Sequence, residues 1–420
     1  MFTRAWWGLL LLLSGGAPWA GTAAAPATFA TPPSTLASAG PSSTGTVSAS
    51  ALAQTLASLT AEEWAALPPE LRAELEALKP PTWQVGATAN LAAGWRDNPL
   101  LSAVQAEGRA FLRSQLETFL WRLPQGAWEG VAFVNGDVTR YLSPMPELAG
   151  EQAWYGHGEL RWQPRPAVRA TLSLQGYFQD QVFDLSATET ERVVARLRVH
   201  GSVIGGEVRV APASPVAFAA LVQAHESRYR GYSEDFSEAK VGGRVIWTPA
   251  PPVSLTVSLL SRERDYDARP AYTLGGRPLA GTQLSLHQDE MEVKLQFSRG
   301  RWTSATTVLG LENRDGGSGY FDYDERRGRW SLEWKKEPWR VALEASGVRY
   351  RYRVQTVGVG FDPPKRRRDD VDVTLRTERG LGPRWTLFAE AQAERSRSNE
   401  ENASYTQTTI MAGLAFTPSP

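Results

Sequence analysis

From residue 82 onward the chain alternates apolar and polar residues with a period of two. At that spacing successive side chains of a strand point to opposite faces. The clearest run is 168–179, where Val168, Ala170, Leu172, Leu174, Gly176 and Phe178 oppose Arg169, Thr171, Ser173, Gln175, Tyr177 and Gln179. The alternation returns at 239–247, 290–298, 371–376 and 385–392. Two kinds of connection interrupt it, and they take turns along the chain. One kind is short, often with proline beside an aromatic residue: 124–128, 162–166, 212–215, 247–252, 298–302, 334–339 and 380–385. The other is longer and more polar: 97–107, 143–152, 185–191, 230–237, 264–287, 314–327, 352–369 and 395–403. Seven short and eight long connections separate sixteen strands, with both ends on the short-turn side. The phase slips around 203–206, where Gly205 and Gly206 signal a bulge or an extra hairpin, so the count is bracketed at fourteen to eighteen.

Short turns at one end and long loops at the other are the arrangement of a transmembrane β-barrel. The aromatic residues support this over a soluble sandwich, whose core would scatter them along the strands. Trp83, Trp121, Trp128, Trp162, Trp247, Trp302, Trp334, Trp339, Trp385 and Phe416 all fall beside a short turn or a chain end. Such a girdle suits a membrane interface, where a ring sits half apolar and half wet. Trp95, Tyr141, Trp154, Phe178, Tyr229 and Tyr266 lie near the long loops and are expected to form the opposite girdle.

The first residues read as a signal peptide, 1–24, with Arg4 before the apolar stretch 5–13 and cleavage near Ala20 or Ala24. Residues 25–50 are an Ala/Thr/Ser/Pro linker that cannot bury a core. Residues 51–81 are expected to hold two short helices, a periplasmic or plug segment, with Thr60 and Glu63 in a capping-box pattern and Pro69 opening the second helix. The expected barrel spans 82–420. The fold class is therefore all-β, an antiparallel transmembrane barrel of about sixteen strands preceded by two short helices.

Composition narrows the chemistry. The 45 basic and 45 acidic residues balance, which argues against nucleic acid as a partner. The absence of cysteine excludes disulfides, thiolate metal sites and an N-terminal lipoprotein anchor. The four histidines form no HExxH or other metal spacing, and there is no GxSxG and no P-loop. No catalytic, metal or cofactor site is expected. The acidic stretches at 265–267 and 322–325 lack EF-hand spacing for calcium.

Residues 82–416 resemble a bacterial outer-membrane β-barrel of the porin-like or polymer-export kind. The last strand, 407–416, is similar to the signal that the barrel-assembly machinery reads, with Ile410, Ala412, Leu414 and Phe416 on one face, although four residues follow the aromatic. The resemblance implies a Gram-negative outer membrane, contact with its lipid and lipopolysaccharide, the assembly machinery as a partner during biogenesis, and a possible periplasmic partner at 51–81.

In a barrel the polar strand face lines the lumen. The candidates are Arg113, Glu117, Glu159, Arg161, Arg169, Arg196, Arg198, Lys240, Arg244, Arg262, Glu292, Lys294, Glu333, Glu344, Asp372, Arg376, Glu390 and Glu394. The middle strands lean basic and the last few acidic, which would set a transverse field favouring polar solutes. The alternative is a lumen crosslinked by ion pairs. The basic run 365–368, followed by Asp369 and Asp370, is expected in a solvated surface loop. Three functions are in play: a channel for polar solutes, an exit barrel for a secreted polymer such as an exopolysaccharide, and a structural or surface-binding barrel with a closed lumen. A long loop folded inward would favour the channel.

Overall fold

The computed structural model describes residues 68–69, 82–143, 148–184, 194–213, 215–250, 252–358, 360–400 and 403–418. The expected signal peptide, linker and all but two residues of the expected helical segment lie outside them. Sixteen strands follow in chain order: β1 Trp83–Arg96, β2 Arg109–Gln125, β3 Trp128–Tyr141, β4 Gly150–Arg165, β5 Val168–Asp184, β6 Val194–Ala213, β7 Val216–Tyr229 and β8 Phe236–Ala250, then β9 Val253–Tyr266, β10 Ser285–Arg299, β11 Trp302–Asp315, β12 Tyr323–Lys336, β13 Trp339–Thr356, β14 Lys365–Gly380, β15 Trp385–Ser398 and β16 Tyr405–Phe416. Each pairs antiparallel with its sequence neighbours, and β1 pairs with β16 to close the barrel. Closure leaves no full-length edge, so the backbone is satisfied between strands, as an apolar solvent requires.

The burial pattern is inverted relative to a soluble protein. On β5, Leu172 is 54% and Leu174 60% exposed, while Gln175 on the inward face of the same strand is buried. Val85, Leu91, Phe218, Val222, Val241, Leu259, Val308 and Ile410 are likewise outward and exposed. Water would not tolerate this belt; lipid does. Its height follows from the strands. On β13 the outward residues from Trp339 to Gly347 are largely apolar, and Arg349 comes next. Nine residues of a tilted strand match an apolar band of about 25 Å.

The strands run past that belt. Residues 264–266, 285–287, 314–315, 323–327, 352–356, 365–369 and 395–398, expected in loops, are strand. Above the lipid both faces are polar, so alternation disappears from the sequence although pairing continues. The run at 365–368 is thus the start of β14, not a surface loop. Its Arg366 and Arg368 point inward and are buried, and Arg366 pairs with Glu400. At 203–206 there is no extra hairpin, because β6 pairs continuously with β5 from Val194 to Val210.

Candidate functional site

Two long loops turn into the barrel. The β1–β2 loop is held by Asn98, whose Nδ2 donates to Ser102 O (2.9 Å) and Thr406 O (3.0 Å), and whose Oδ1 accepts from Ser102 N at 2.9 Å. Gln407 adds a bond to the Asn98 carbonyl. The turn drives Leu100 and Leu101 inward. Leu100 joins a buried cluster with Ala92, Phe111, Tyr141, Val182, Phe388 and Met411. Leu101 joins a second with Phe183, Leu197, Val199 and Tyr405. The loop therefore bridges the closing seam and the β5–β6 wall.

The β9–β10 loop folds into a small hairpin, with a bridge between Tyr272 and Pro278. Tyr272 and Leu284 pack with Phe236, Tyr266, Leu286 and Phe321. Arg269 is buried there, 4.6 Å from the Phe321 ring centroid, and pairs with Glu234 of the β7–β8 loop at 3.0 Å. Burial pushes the Glu234 carboxyl above its ordinary value, with Arg269 opposing the shift.

Below these loops the inward wall is built of ion pairs. Arg96 reaches Glu151 at 3.0 Å and also donates to Tyr141. Arg113 pairs with Asp137 and lies 3.7 Å from Glu390. Arg376 links Glu390 (3.2 Å) to Glu378 (2.6 Å), and Arg340 links Glu378 (3.1 Å) to Glu333. On the opposite side Arg262 pairs with Glu290 and lies 3.8 Å from Glu238, which also takes Arg264 at 2.5 Å. Lys240 is 3.8 Å from Glu290. Buried charges need such partners, since an isolated one would cost several kcal/mol.

The candidate lumen residues fall as follows. Arg113, Glu117, Glu159, Arg161, Arg169, Lys240, Arg244, Arg262, Glu292, Lys294, Glu333, Glu344, Asp372, Arg376, Glu390 and Glu394 occupy inward positions, alternating with the exposed apolar residues of their strands. Glu159 accepts from His157 Nε2 at 2.9 Å and from Arg161 at 2.6 Å. Arg244 holds Glu207 at 2.9 Å, Arg329 holds Glu344, and Gln392 donates to Asp372 at 2.7 Å. Tyr405 donates to Glu394. Glu117 is exposed to the interior space.

Arg196 and Arg198 are different. They share the outward face of β6 with Ile204 and Val208 and clasp Asp180 at 2.6 and 3.0 Å. The reason is the β1–β2 loop. Leu101 makes the inward face of upper β6 apolar (Leu197, Val199), so the usual polar-inside rule is reversed there. That reversal is the phase slip seen in the sequence.

Among the candidate aromatics, Trp83, Trp128, Trp162, Trp247, Trp302, Trp334, Trp339, Trp385 and Phe416 take outward positions near the short turns. Neighbouring rings meet there: Trp128 and Trp162 at 6.1 Å, Trp302 and Trp334 at 6.3 Å, Trp385 and Phe416 at 4.8 Å. Trp121 points inward and donates to Glu129 Oε1 at 3.1 Å. At the long-loop end, Trp95, Trp154 and Phe178 face outward. Tyr141, Tyr229 and Tyr266 face inward and pack under the folded loops, so they form no girdle. Sequence reasoning missed Glu238, Arg264 and Glu290, and it had no signal for the inward loop beyond the apolar pair Leu100 and Leu101.

Packing is uneven along the axis. Inward residues at the long-loop end are buried on nearly every strand. On β4, β5 and β8 to β13 those nearer the short turns are only partly buried and front open space. Among the described residues no group of three His, Asp or Glu side chains is placed to hold a metal ion.

The closed ring, lipid-compatible exterior and one-sided short turns make this an outer-membrane-type β-barrel. No family model matches the chain, and no curated protein matches it. Among solved structures it is similar to an anion-selective porin from Comamonas acidovorans, with 8% identity, 80% of this chain and 99% of that one covered, and a TM-score of 0.44. It is also similar to OprD from Pseudomonas aeruginosa, with 10% identity, 80% and 95% coverage and a TM-score of 0.40. A bacterial polysaccharide outer-membrane secretin is similar at 9% identity, 79% and 97% coverage and a TM-score of 0.37.

Proposed function

We propose that the chain is an outer-membrane channel for small polar solutes, with the short turns in the periplasm and the β1–β2 loop forming its constriction. The observation that carries this reading is the combination of a charged, water-accessible lower wall with a loop folded across the upper interior. A barrel near sixteen strands is wide enough for water unless it is filled, and here the filling is confined mainly to one end. Lumen-lining charges would hold a hydrated solute at low cost, because their partners are already in place. The outward tryptophans would set the barrel at the periplasmic interface. The inward loop favours small solutes over a secreted polymer, which needs an uninterrupted bore. In this reading residues 1–24 direct export and are removed, the assembly machinery inserts the barrel, and 51–81 remain available to a periplasmic partner.

The test is conductance of the refolded mature protein in a planar bilayer, with and without residues 25–81. Steady openings support the channel. Openings seen only after truncation would mean that the segment before the barrel plugs it. Silence in both forms, and also after release of the β1–β2 loop, would sink the channel in favour of a closed structural or surface-binding barrel.

A further inference from the structure

Most inward arginines are held by a carboxylate. Arg169 of β5 and Arg209 of β6 are not. They stand directly opposite each other in the strand register, on the same inward face near the short turns. Like charges placed directly opposite across a strand pair are destabilising unless something lies between them. Among the described residues neither has a carboxylate within ion-pair distance.

The surrounding charges explain why. Glu207, beside Arg209, is taken by Arg244 at 2.9 Å. Glu129 accepts from Arg161 at 3.2 Å and from the Trp121 indole at 3.1 Å. Glu159 accepts from Arg161 and His157. The neighbourhood therefore has four arginines against three carboxylates, and every carboxylate is already engaged. The Arg169 Nε is shielded and has no hydrogen-bond partner. Beyond Arg209 the register neighbour on β7 is Ala219, which offers no carboxylate either. Both side chains are only partly buried, so they front the open lower lumen.

We propose that Arg169 and Arg209 form a binding site for an anionic group, a carboxylate or a phosphate, carried by solutes at the periplasmic mouth of the lumen. Planar guanidinium groups suit this chemistry, since each offers a fork of donors matched to two oxygens of such an anion. One anion between the two would neutralise the repulsion. The proposal rests on the channel reading for its physiological meaning, but the site itself is testable without conductance.

The experiment is titration of the refolded mature protein in detergent with inorganic phosphate and, separately, with succinate, followed by calorimetry and by the urea midpoint. Saturable binding of one or both is expected, and the bound anion should raise the midpoint by mass action. The relative affinities assign the site to phosphate-bearing or carboxylate-bearing solutes. The double variant Arg169→Gln with Arg209→Gln should weaken binding by about tenfold or more. The Lys pair should keep part of it, and Arg228→Gln, on the outward side of β7 at the long-loop end where Arg228 pairs with Glu226 and Asp267, should leave anion binding unchanged. Equal binding by the Gln pair, or no saturable binding of either anion by the natural chain, overturns the proposal. A barrel that binds but never conducts keeps the site and refutes the channel; one that conducts but never binds does the reverse.

Discussion

Arg269 donates to Glu234 at 3.0 Å, tying the β9–β10 loop to the β7–β8 loop over the barrel mouth. Because Glu234 is buried, its carboxyl lies above the ordinary 4.5. A raised value means that the docked loops bind the proton more tightly than undocked ones. Docking is then strongest below the ordinary value and weakens as pH rises through the raised one. Hydrogen exchange of residues 267–284, corrected for intrinsic rates, should slow as pH falls toward the ordinary carboxylate value. Glu234→Gln should flatten that slope, and a slope surviving in the variant would refute the linkage.

Leu101 combines burial with a left-handed backbone, φ 55°. A side chain in that region costs about 1–2 kcal/mol, so its packing with Phe183 and Val199 must more than offset it. Leu101→Asp would place an unpaired carboxylate in this cluster and should free the loop. Single-channel conductance is expected to rise and to become noisier, with the barrel still folded. Unchanged conductance would mean that the loop is not the constriction.

Arg262 sits between Glu238 and Glu290, buried with both. Arg262→Met would leave two carboxylates facing each other with less compensation, a loss of about 3–5 kcal/mol by urea unfolding. Pairing it with Glu290→Gln should recover much of that loss. If the double variant is no better than the single, the pair does not act as a unit.

Leu172 and Thr171 are sequence neighbours on opposite faces of β5. Leu172→Arg on the lipid side should destabilise the bilayer-inserted barrel by about 2–4 kcal/mol. Thr171→Arg, on the inward side, should cost far less and should alter ion selectivity instead. Similar costs at the two positions would contradict the inside-out assignment.

The strand number and the two kinds of connection were legible because lipid and lumen impose opposite chemistry on alternate residues. Where that contrast fades, legibility fades with it. Residues 365–369 read as loop because their strand stands above the lipid, with charges on both sides. Arg196 and Arg198 read as lumen residues because nothing local reveals that Leu101, far away in sequence, covers the inner side of β6. Tyr141, Tyr229 and Tyr266 carry the composition of an interface girdle, yet the folded loops give them an interior to fill. The ion pairs were readable as charges but not as partners, since each partner comes from another strand.

The seam between β1 and β16 is short. It joins Ala89–Arg96 to Thr409–Phe416, while Trp83 to Thr88 pair as strand only with β2. The two strands that complete the ring therefore lie at opposite ends of the barrel sequence, and the final one carries its last residues into the joint. Without β16 the sheet would keep two margins of unpaired N–H and C=O groups, which lipid cannot satisfy, so the ring's compatibility with a membrane rests on this one joint.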